Sequence, residues 1–365
     1  APDEVLSRRP LAVALPYVKE AAVVHSRIFD FNHKTLLVTF TDPMTVVSTL
    51  DGVRDGVTAA GNHFYPPPAW SIGHESGLDG LHTTVCGVLQ RPNQQTALLF
   101  TGADMDNLSI QCKTYRDISV YALVTAGARI NAVRSAMDVG RYYEPGTINV
   151  VLMTNAALTP RALQRAVITA TEAKTAALQD LDIRSSYTPQ MNGATGTGTD
   201  NIVVVQGSGV RIDNSGGHTR MGELIGRAVY AGVREALFRQ DGFASGRSIL
   251  QRLKERKISI RRLFRQEECP CGLKPHEFAA AVERVLLEPR HASFMEAAFA
   301  ISDHYEQGLV NDLSSFRSWA RTAAQQIAGT PIDKLDTLID PAGLPVVLFE
   351  ALNATANGVR YRKEK

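Results

Sequence analysis

Thr147-Ile148-Asn149-Val150-Val151-Leu152-Met153-Thr154-Asn155 is followed, after a short break, by Thr159-Pro160-Arg161-Ala162-Leu163 and a periodic stretch that lasts to about Leu181. The first segment is a β-branched, apolar run between polar ends, which predicts a buried strand. The second opens with a side-chain oxygen at the N-cap and proline at the first helical position, which predicts a helix. Another β-branched run, Asn201 to Gly207, follows it. Working outward, Thr96 to Gly102 and Ile118 to Gly127 read as strands on the same grounds, and Leu36 to Thr41 alternates apolar with small polar residues before the turn-initiating pair Asp42-Pro43. Together these predict an α/β fold: a mixed β-sheet covered by long helices, with a mainly helical C-terminal extension.

On the helix from Thr159, the residues Leu163, Val167, Ala170, Leu178 and Leu181 form one stripe, and Lys174 falls on it. A lysine is therefore expected to point at the core. Glu172 projects to nearly the opposite face, among Ala, Thr, Val and Ile, so both faces are expected to be covered. A second helix is predicted from about Thr219 to Arg239, packing Met221, Leu224, Ile225, Ala228, Val229, Gly232 and Ala236 on the same sheet. The stretch from Ser48 through Asn62-His63 to the prolines at 66–68 reads as an ordered loop region. Beyond Asp241-Gly242 the pattern becomes basic and helical, over Arg247 to Arg265, Pro275 to Leu287 and His291 to Gln307, then ends in a Pro/Gly-containing tail. The expected domains are 1–243 and 244–365.

The 365 residues are 44% hydrophobic and 21% charged, with a formal charge of +2. Interspersed signs give no basic field, so no nucleic-acid partner is expected. No apolar run approaches the roughly 20 residues that span a bilayer, and a transmembrane segment is not expected. The chain begins at Ala1, a start shared by processed secretory products and trimmed chains; the expectation is cytoplasmic, with export as the alternative. Four cysteines are too few for a disulfide scaffold in a chain this long. Cys269-Pro270-Cys271 lacks a second ligand pair, and His276, His291 and His304 lack the i, i+4 spacing of a zinc helix, so no metal site is expected.

The most unusual stretch is Gly193-Ala194-Thr195-Gly196-Thr197-Gly198-Thr199-Asp200-Asn201. A phosphate loop follows a strand and opens a helix, whereas here the order is reversed. Glycine-rich backbone still makes nests of N–H groups, which suit an oxyanion hole for amide cleavage; a flexible turn is the competing reading. Amide cleavage also needs an activated water or nucleophile and a proton for the departing amine. Asp200 or Glu172 is the candidate base, and Lys174 or His218 the proton source or charge stabiliser. Thr197 or Thr199 as a covalent nucleophile stands below water attack, because it needs an adjacent base. Asn62, His63, Asp104, Asn107, Thr195, Gly196, Thr197, Gly198, Thr199 and Asn201 are the candidate substrate contacts, as loop residues rich in hydrogen-bonding groups.

Arg116-Asp117, Tyr143-Glu144-Pro145-Gly146-Thr147-Ile148-Asn149, Thr169-Ala170-Thr171-Glu172-Ala173-Lys174-Thr175-Ala176-Ala177, Ala194 through Asn201, and Gly222-Glu223-Leu224-Ile225 together resemble the adenosylcobinamide amidohydrolases. The resemblance runs over roughly residues 20 to 240 in one order. It implies hydrolysis of adenosylcobinamide to adenosylcobyric acid and aminopropanol, as part of corrinoid salvage, with cobalt entering only as part of the corrinoid substrate; the sequence itself calls for no cofactor. The competing functions are a noncatalytic corrinoid-binding protein, an amidohydrolase of a complete cobamide or another amide, and a self-cleaving hydrolase with an internal threonine. Residues 244–365 lie outside the resemblance, and their expected roles include self-association into a homo-oligomer, substrate capture or partner binding.

Overall fold

The computed structural model describes residues 2–139, 146–264 and 272–362; the side chains of residues 71–74 and 76 lie outside that description, as do Cys269, Cys271 and the Tyr143-Glu144-Pro145 part of the family-like motif. By Cα proximity the chain divides into two compact units, Ala1–Tyr187 with Gly193–Ser245, and Thr188–Asn192 with Gly246–Lys365. No described helix is long and apolar enough to cross a membrane.

The first unit is built on the strands β1 (Glu4–Pro10), β2 (Val18–Ile28), β3 (Phe31–Ser48), β4 (Gly52–Phe64), β5 (Thr96–Thr101), β6 (Ser109–Tyr115) and β7 (Ile118–Ala126). They are followed by β8 (Ala132–Val133), β9 (Ile148–Thr154), β10 (Ala157–Leu158), β11 (Gly196–Thr197), β12 (Asn201–Val205) and β13 (Arg211–Ile212). Its helices are α1 (Trp70–Val88), α2 (Pro160–Asp180) and α3 (Arg220–Asp241). The main sheet runs β1-β2-β3-β12-β9-β7-β6, and β4 pairs with both β3 and β5. The pairings β12–β9 and β4–β5 are parallel and the rest of that sheet is antiparallel, which makes it mixed.

Register shifts between Thr39 and Val46 bend the long strand β3, a usual effect of an unpaired extra residue. Its first half pairs with β2 and its end, Val46 to Ser48, pairs with β12. The sheet therefore curls over a core in which Leu36, Val38, Ala60 and Leu99 meet Leu123, Val151 and Val203. Alternation sends Leu37, Ala59 and Leu98 to the other side, where Leu81 and Val85 of α1 and Leu89 just after it cover them. On the far layer, Val124, Val150, Leu152 and Val204 pack beneath α2 and α3.

Both long helices start where their sequences place a cap: Thr159 accepts the Ala162 N–H and Thr219 the Gly222 N–H. α3 approaches β7 closely because a Cβ at Gly232 would lie 2.7 Å from Val124 Cγ2. Lys174 is buried on the core side of α2, as its stripe predicts. The opposite face is not covered: Glu172 and Thr171 are exposed, and Ile168 is 54% exposed. The stretch read as a loop before Pro66 is β4, whose polar Asn62 and His63 are buried rather than solvated.

The second unit is helical, with α4 (Ile249–Glu255), α5 (Ile260–Leu263), α6 (Pro275–Leu287), α7 (Pro289–Glu306), α8 (Ser314–Ala328) and α9 (Val346–Tyr361). The Pro/Gly tail expected after Gln307 thus contains two helices. α9 is the centre of this unit: Val347, Leu348, Ala351, Leu352 and the whole run from Asn353 to Val359 are buried. Its two buried asparagines hold the incoming chain. Asn357 Oδ1 accepts the Asp336 N–H at 3.0 Å, Asn353 Oδ1 accepts the Leu338 N–H at 2.8 Å, and both amide groups donate to the Asp336 carbonyl.

Candidate functional site

A cleft of about 590 Å³ opens in the first unit where β5 ends and β12 begins. One side is apolar, with Tyr65, Trp70, Leu81 and Phe100; the other carries Thr101, Thr147, Thr199, Asp200 and Asn201. An apolar wall facing a few fixed polar groups is the usual form of a small-molecule site. Asp200 is the carboxylate among the described residues that line it.

Asp200 is held from all sides. Its Oδ1 accepts the Ile148 N–H at 3.0 Å and the Thr197 hydroxyl at 2.5 Å. Its Oδ2 accepts the Thr197 N–H at 2.9 Å and forms an ion pair with Lys174 Nζ. The two side chains are 13% and 9% exposed, so this is a nearly buried charge pair with three further donors, the arrangement that makes burial of an ion pair tolerable. Four residues meet here from three elements and the turn beside them: α2 supplies Lys174, the start of β9 supplies Ile148, and the Gly/Thr segment, with Thr197 at the end of β11, wraps the Asp200 carboxylate.

That wrapping uses the backbone expected to form an oxyanion nest. Thr195 N–H bonds the Val133 carbonyl at 2.8 Å, Thr197 N–H bonds Asp200, and Gly198 N–H bonds the Asn131 carbonyl at 3.3 Å. Gly196 and Thr197 pair with Val133 and Ala132 as β11 against β8. The segment is an ordered turn that presents Gly198, Thr199, Asp200 and Asn201 to the cleft. Glycine at 196 is required by the ion pair, since a Cβ there would lie 2.5 Å from Asp200 Oδ2 and 2.7 Å from Lys174 Nζ. The carboxylate cannot yield without breaking its other bonds. Gly196→Ala is expected to cost about 1–3 kcal/mol of stability, the usual range for overpacking. Thermal unfolding followed alongside turnover checks this; an unchanged melting temperature with unchanged turnover would show that the pair has room to move.

Beneath the cleft, polar side chains link four strands. Asn149 Nδ2 donates to Asn62 Oδ1 at 2.9 Å and to the Phe100 carbonyl at 2.8 Å, and Asn62 Nδ2 donates to Thr125 Oγ1 at 2.8 Å. Thr147 donates to the Thr199 carbonyl at 2.6 Å, tying the entry to β9 to the Gly/Thr turn. Buried amides with their hydrogen bonds made fix one arrangement of the strand ends. Asn62 thus supports the cleft and does not line it. Thr195 likewise faces Ser135 and Val133.

The remaining candidates are elsewhere. Glu172 is exposed on the open face of α2, because two residues of helix turn it away from Lys174. His218 is exposed before α3. Asp104 accepts two hydrogen bonds from Lys34 at 2.7 and 3.0 Å and caps the short turn at Met105–Asn107, while Asn107 donates to Gln240 at 2.8 Å. His63 is fully buried on the α1 side of the sheet, its Nδ1 2.8 Å from Thr35 Oγ1 and its Nε2 3.0 Å from His33 Nδ1. Burial lowers the His63 pKa well below the ordinary histidine value, and the neighbouring His33 adds to this; burial also lowers His33, to about 4. Both rings stand behind the aromatic wall, with His33 5.1 Å from Tyr65 and His63 5.9 Å from Phe100, centre to centre.

Sequence reasoning did not single out Thr101, Thr147 or the aromatic wall. Thr147 and Asn149 lie inside the Gly146-Thr147-Ile148-Asn149 motif, which was a signal for them; Thr101, Tyr65, Trp70 and Phe100 carry none at the level of spacing.

The sequence profile of the adenosylcobinamide amidohydrolase (CbiZ) family matches residues 16–245. An uncharacterized protein of Methanocaldococcus jannaschii is 42% identical over 226 residues, covering 57% of this chain and 87% of that protein. A protein of Methanosarcina mazei named adenosylcobinamide amidohydrolase is 30% identical over 185 residues, covering 48% of this chain and 77% of its own. The match takes in β2 through α3, and with them every part of the cleft just described: the chain belongs to the adenosylcobinamide amidohydrolase family.

Proposed function

We propose that this protein hydrolyses the amide between a corrin-ring propionate and aminopropanol in adenosylcobinamide, releasing adenosylcobyric acid and aminopropanol. The observation that carries the reading is the Asp200–Lys174 pair at a cleft whose walls all lie within the family match. A volume of about 590 Å³ is that of a site for a drug-sized ligand. It takes the side arm with its amide, and the larger macrocycle stays at the mouth.

Within the cleft, Asp200 accepts a proton from the attacking water by giving up the Thr197 hydroxyl, the one of its four donors that can rotate away. Lys174 keeps the carboxylate in place while that exchange occurs. The protonated Asp200 then delivers the proton to the departing amine nitrogen. Attack by Thr197 itself is disfavoured by its position, because the residue is buried and its hydroxyl already donates to Asp200.

One observation favours a second reading, a corrinoid binder without hydrolysis: the four bonds to Asp200 leave it no idle lone pair. Incubation of adenosylcobinamide with the wild type and with Asp200→Asn, followed by mass-resolved chromatography, separates the two. The hydrolase reading expects both products from wild type and a loss of about 10²–10⁴-fold in turnover for the folded variant. Corrinoid bound by wild type with neither product released establishes the binder.

A further inference from the structure

β5 ends on the cleft at Thr101, and this hydroxyl is set differently from its neighbours. Thr101 Oγ1 accepts the Ala103 N–H at 2.9 Å, which occupies a lone pair and directs the hydroxyl hydrogen elsewhere. No atom of the described residues accepts that hydrogen, although the side chain belongs to a residue only 4% exposed. The other two cleft threonines already donate, Thr147 to the Thr199 carbonyl at 2.6 Å and Thr199 to the Gly146 carbonyl at 3.4 Å. A hydroxyl whose hydrogen finds no acceptor in the protein turns to what fills the cleft it lines, either water or a ligand oxygen that displaces the water.

The reaction proposed above lacks a matching part. As water oxygen bonds to the amide carbon, the carbonyl π pair moves onto oxygen and an oxyanion forms. Collapse restores the C=O bond and breaks the C–N bond, and the nitrogen leaves with the proton Asp200 took from water. The oxyanion needs a donor fixed beforehand, and the N–H groups of Thr195, Thr197 and Gly198 are committed to the turn around Asp200. Thr101 and Asp200 line the same cleft; Thr101 ends β5 and Asp200 immediately precedes β12, two strands whose Cα atoms approach within 8 Å.

We propose that the Thr101 hydroxyl donates the hydrogen bond that stabilises the oxyanion, as a catalytic residue; this rests on the amidohydrolase reading. The test is steady-state kinetics on adenosylcobinamide for wild type, Thr101→Val, Thr101→Ser and Thr101→Cys, with corrinoid binding followed by absorbance titration. Valine removes the donor at nearly constant shape and is expected to lower kcat by about 10²–10³-fold with little change in KM, the pattern of a bond made only in the transition state. Serine is expected to stay within about tenfold of wild type because it keeps the O–H. Cysteine covers the case in which valine, having no acceptor for Ala103, does not fold: its weak S–H should lower kcat with KM held. A valine or cysteine variant with wild-type kcat, or one that raises KM alone, overturns the assignment while leaving the hydrolase reading intact. A wild type that releases no product overturns both.

Discussion

Lys174→Met lowers the stability of the first unit by about 3 kcal/mol and stops turnover. The loss comes from the carboxylate left behind: breaking a buried ion pair by removing one partner costs about 3–5 kcal/mol, because the other charge stays buried without compensation. The low end applies here, since Asp200 keeps Ile148 N–H, Thr197 N–H and the Thr197 hydroxyl and is 13% exposed. For a unit of this size, about 2–4 °C per kcal/mol places the fall in melting temperature at about 6–12 °C. The chain has two tryptophans, Trp70 in the first unit and Trp319 in the second. In a Trp319→Phe background, therefore, fluorescence reports the first unit by itself, which matters because a two-unit chain need not unfold in one step.

The double variant Lys174→Met, Asp200→Asn distinguishes this cause from lost packing of the lysine stem. With the orphaned charge removed, the double variant is expected to be more stable than Lys174→Met, giving a coupling energy within about 0.5–3 kcal/mol. Destabilisation of the double variant equal to the sum of the two single ones would mean that the charges do not interact in the folded protein.

The second large effect is on acid stability. The folded protein holds His33 at about 4 and His63 well below its ordinary value, mainly because burial disfavours the charged ring. An unfolded histidine titrates near 6.5. Between those values the unfolded chain binds more protons than the folded one, so stability is complete above about pH 6.5 and declines as pH falls towards 4. A difference of 2.5 units at 1.36 kcal/mol each amounts to about 3 kcal/mol for His33 alone. His63 adds to it in the same direction. Unfolding free energies between pH 7.5 and 4.5 test this against the double variant His33→Phe, His63→Leu, whose dependence on pH should be shallower by up to two protons. Identical slopes in both proteins would remove the histidine pair from the account. Because the rings support Tyr65 and Phe100, the aromatic side of the cleft is where acid damage should first appear.

The parts of the fold that could be read beforehand were those with one dominant physical signal. Ile148 to Thr154 and Ile202 to Val205 are buried on both faces, and a continuous apolar, β-branched run announces this without ambiguity. α2 and α3 carry threonine caps and apolar stripes. β4 was hidden because its first half is exposed and its second half buries Asn62 and His63, whose hydrogen-bond partners lie in other strands. α1 was hidden by glycine at 73, 77, 80 and 87, and at Gly77 the backbone leaves the helical region altogether, at φ 67° and ψ 174°. α9 was missed because Asn353, Asn357 and Gly358 resemble turn chemistry when read locally.

The candidate site divides along the same line. That Lys174 faces inward follows from helical spacing, but its pairing with Asp200 crosses 26 positions of chain and is a property of the fold. The Gly/Thr segment stands out in the sequence as a backbone nest, and in the fold its Thr197 N–H and hydroxyl are turned onto the Asp200 carboxylate, which spacing alone does not show. Thr101 had no signal at all, since its distinction is a single unmatched hydrogen.

The central position of α9 bears on how the protein is made. Its residues supply the interior against which α6, α7 and α8 pack, yet it is synthesised after all of them. From Ile249 to Tyr361 a ribosome moving at about 5–20 residues per second takes on the order of ten seconds. Throughout that interval the first unit already has every strand and helix it needs, while α6, α7 and α8 emerge with the apolar faces that α9 covers still open. The second unit is thus the part of the nascent chain that calls for chaperone protection, and a stall before residue 346 would yield a finished first unit carrying a tail prone to aggregation.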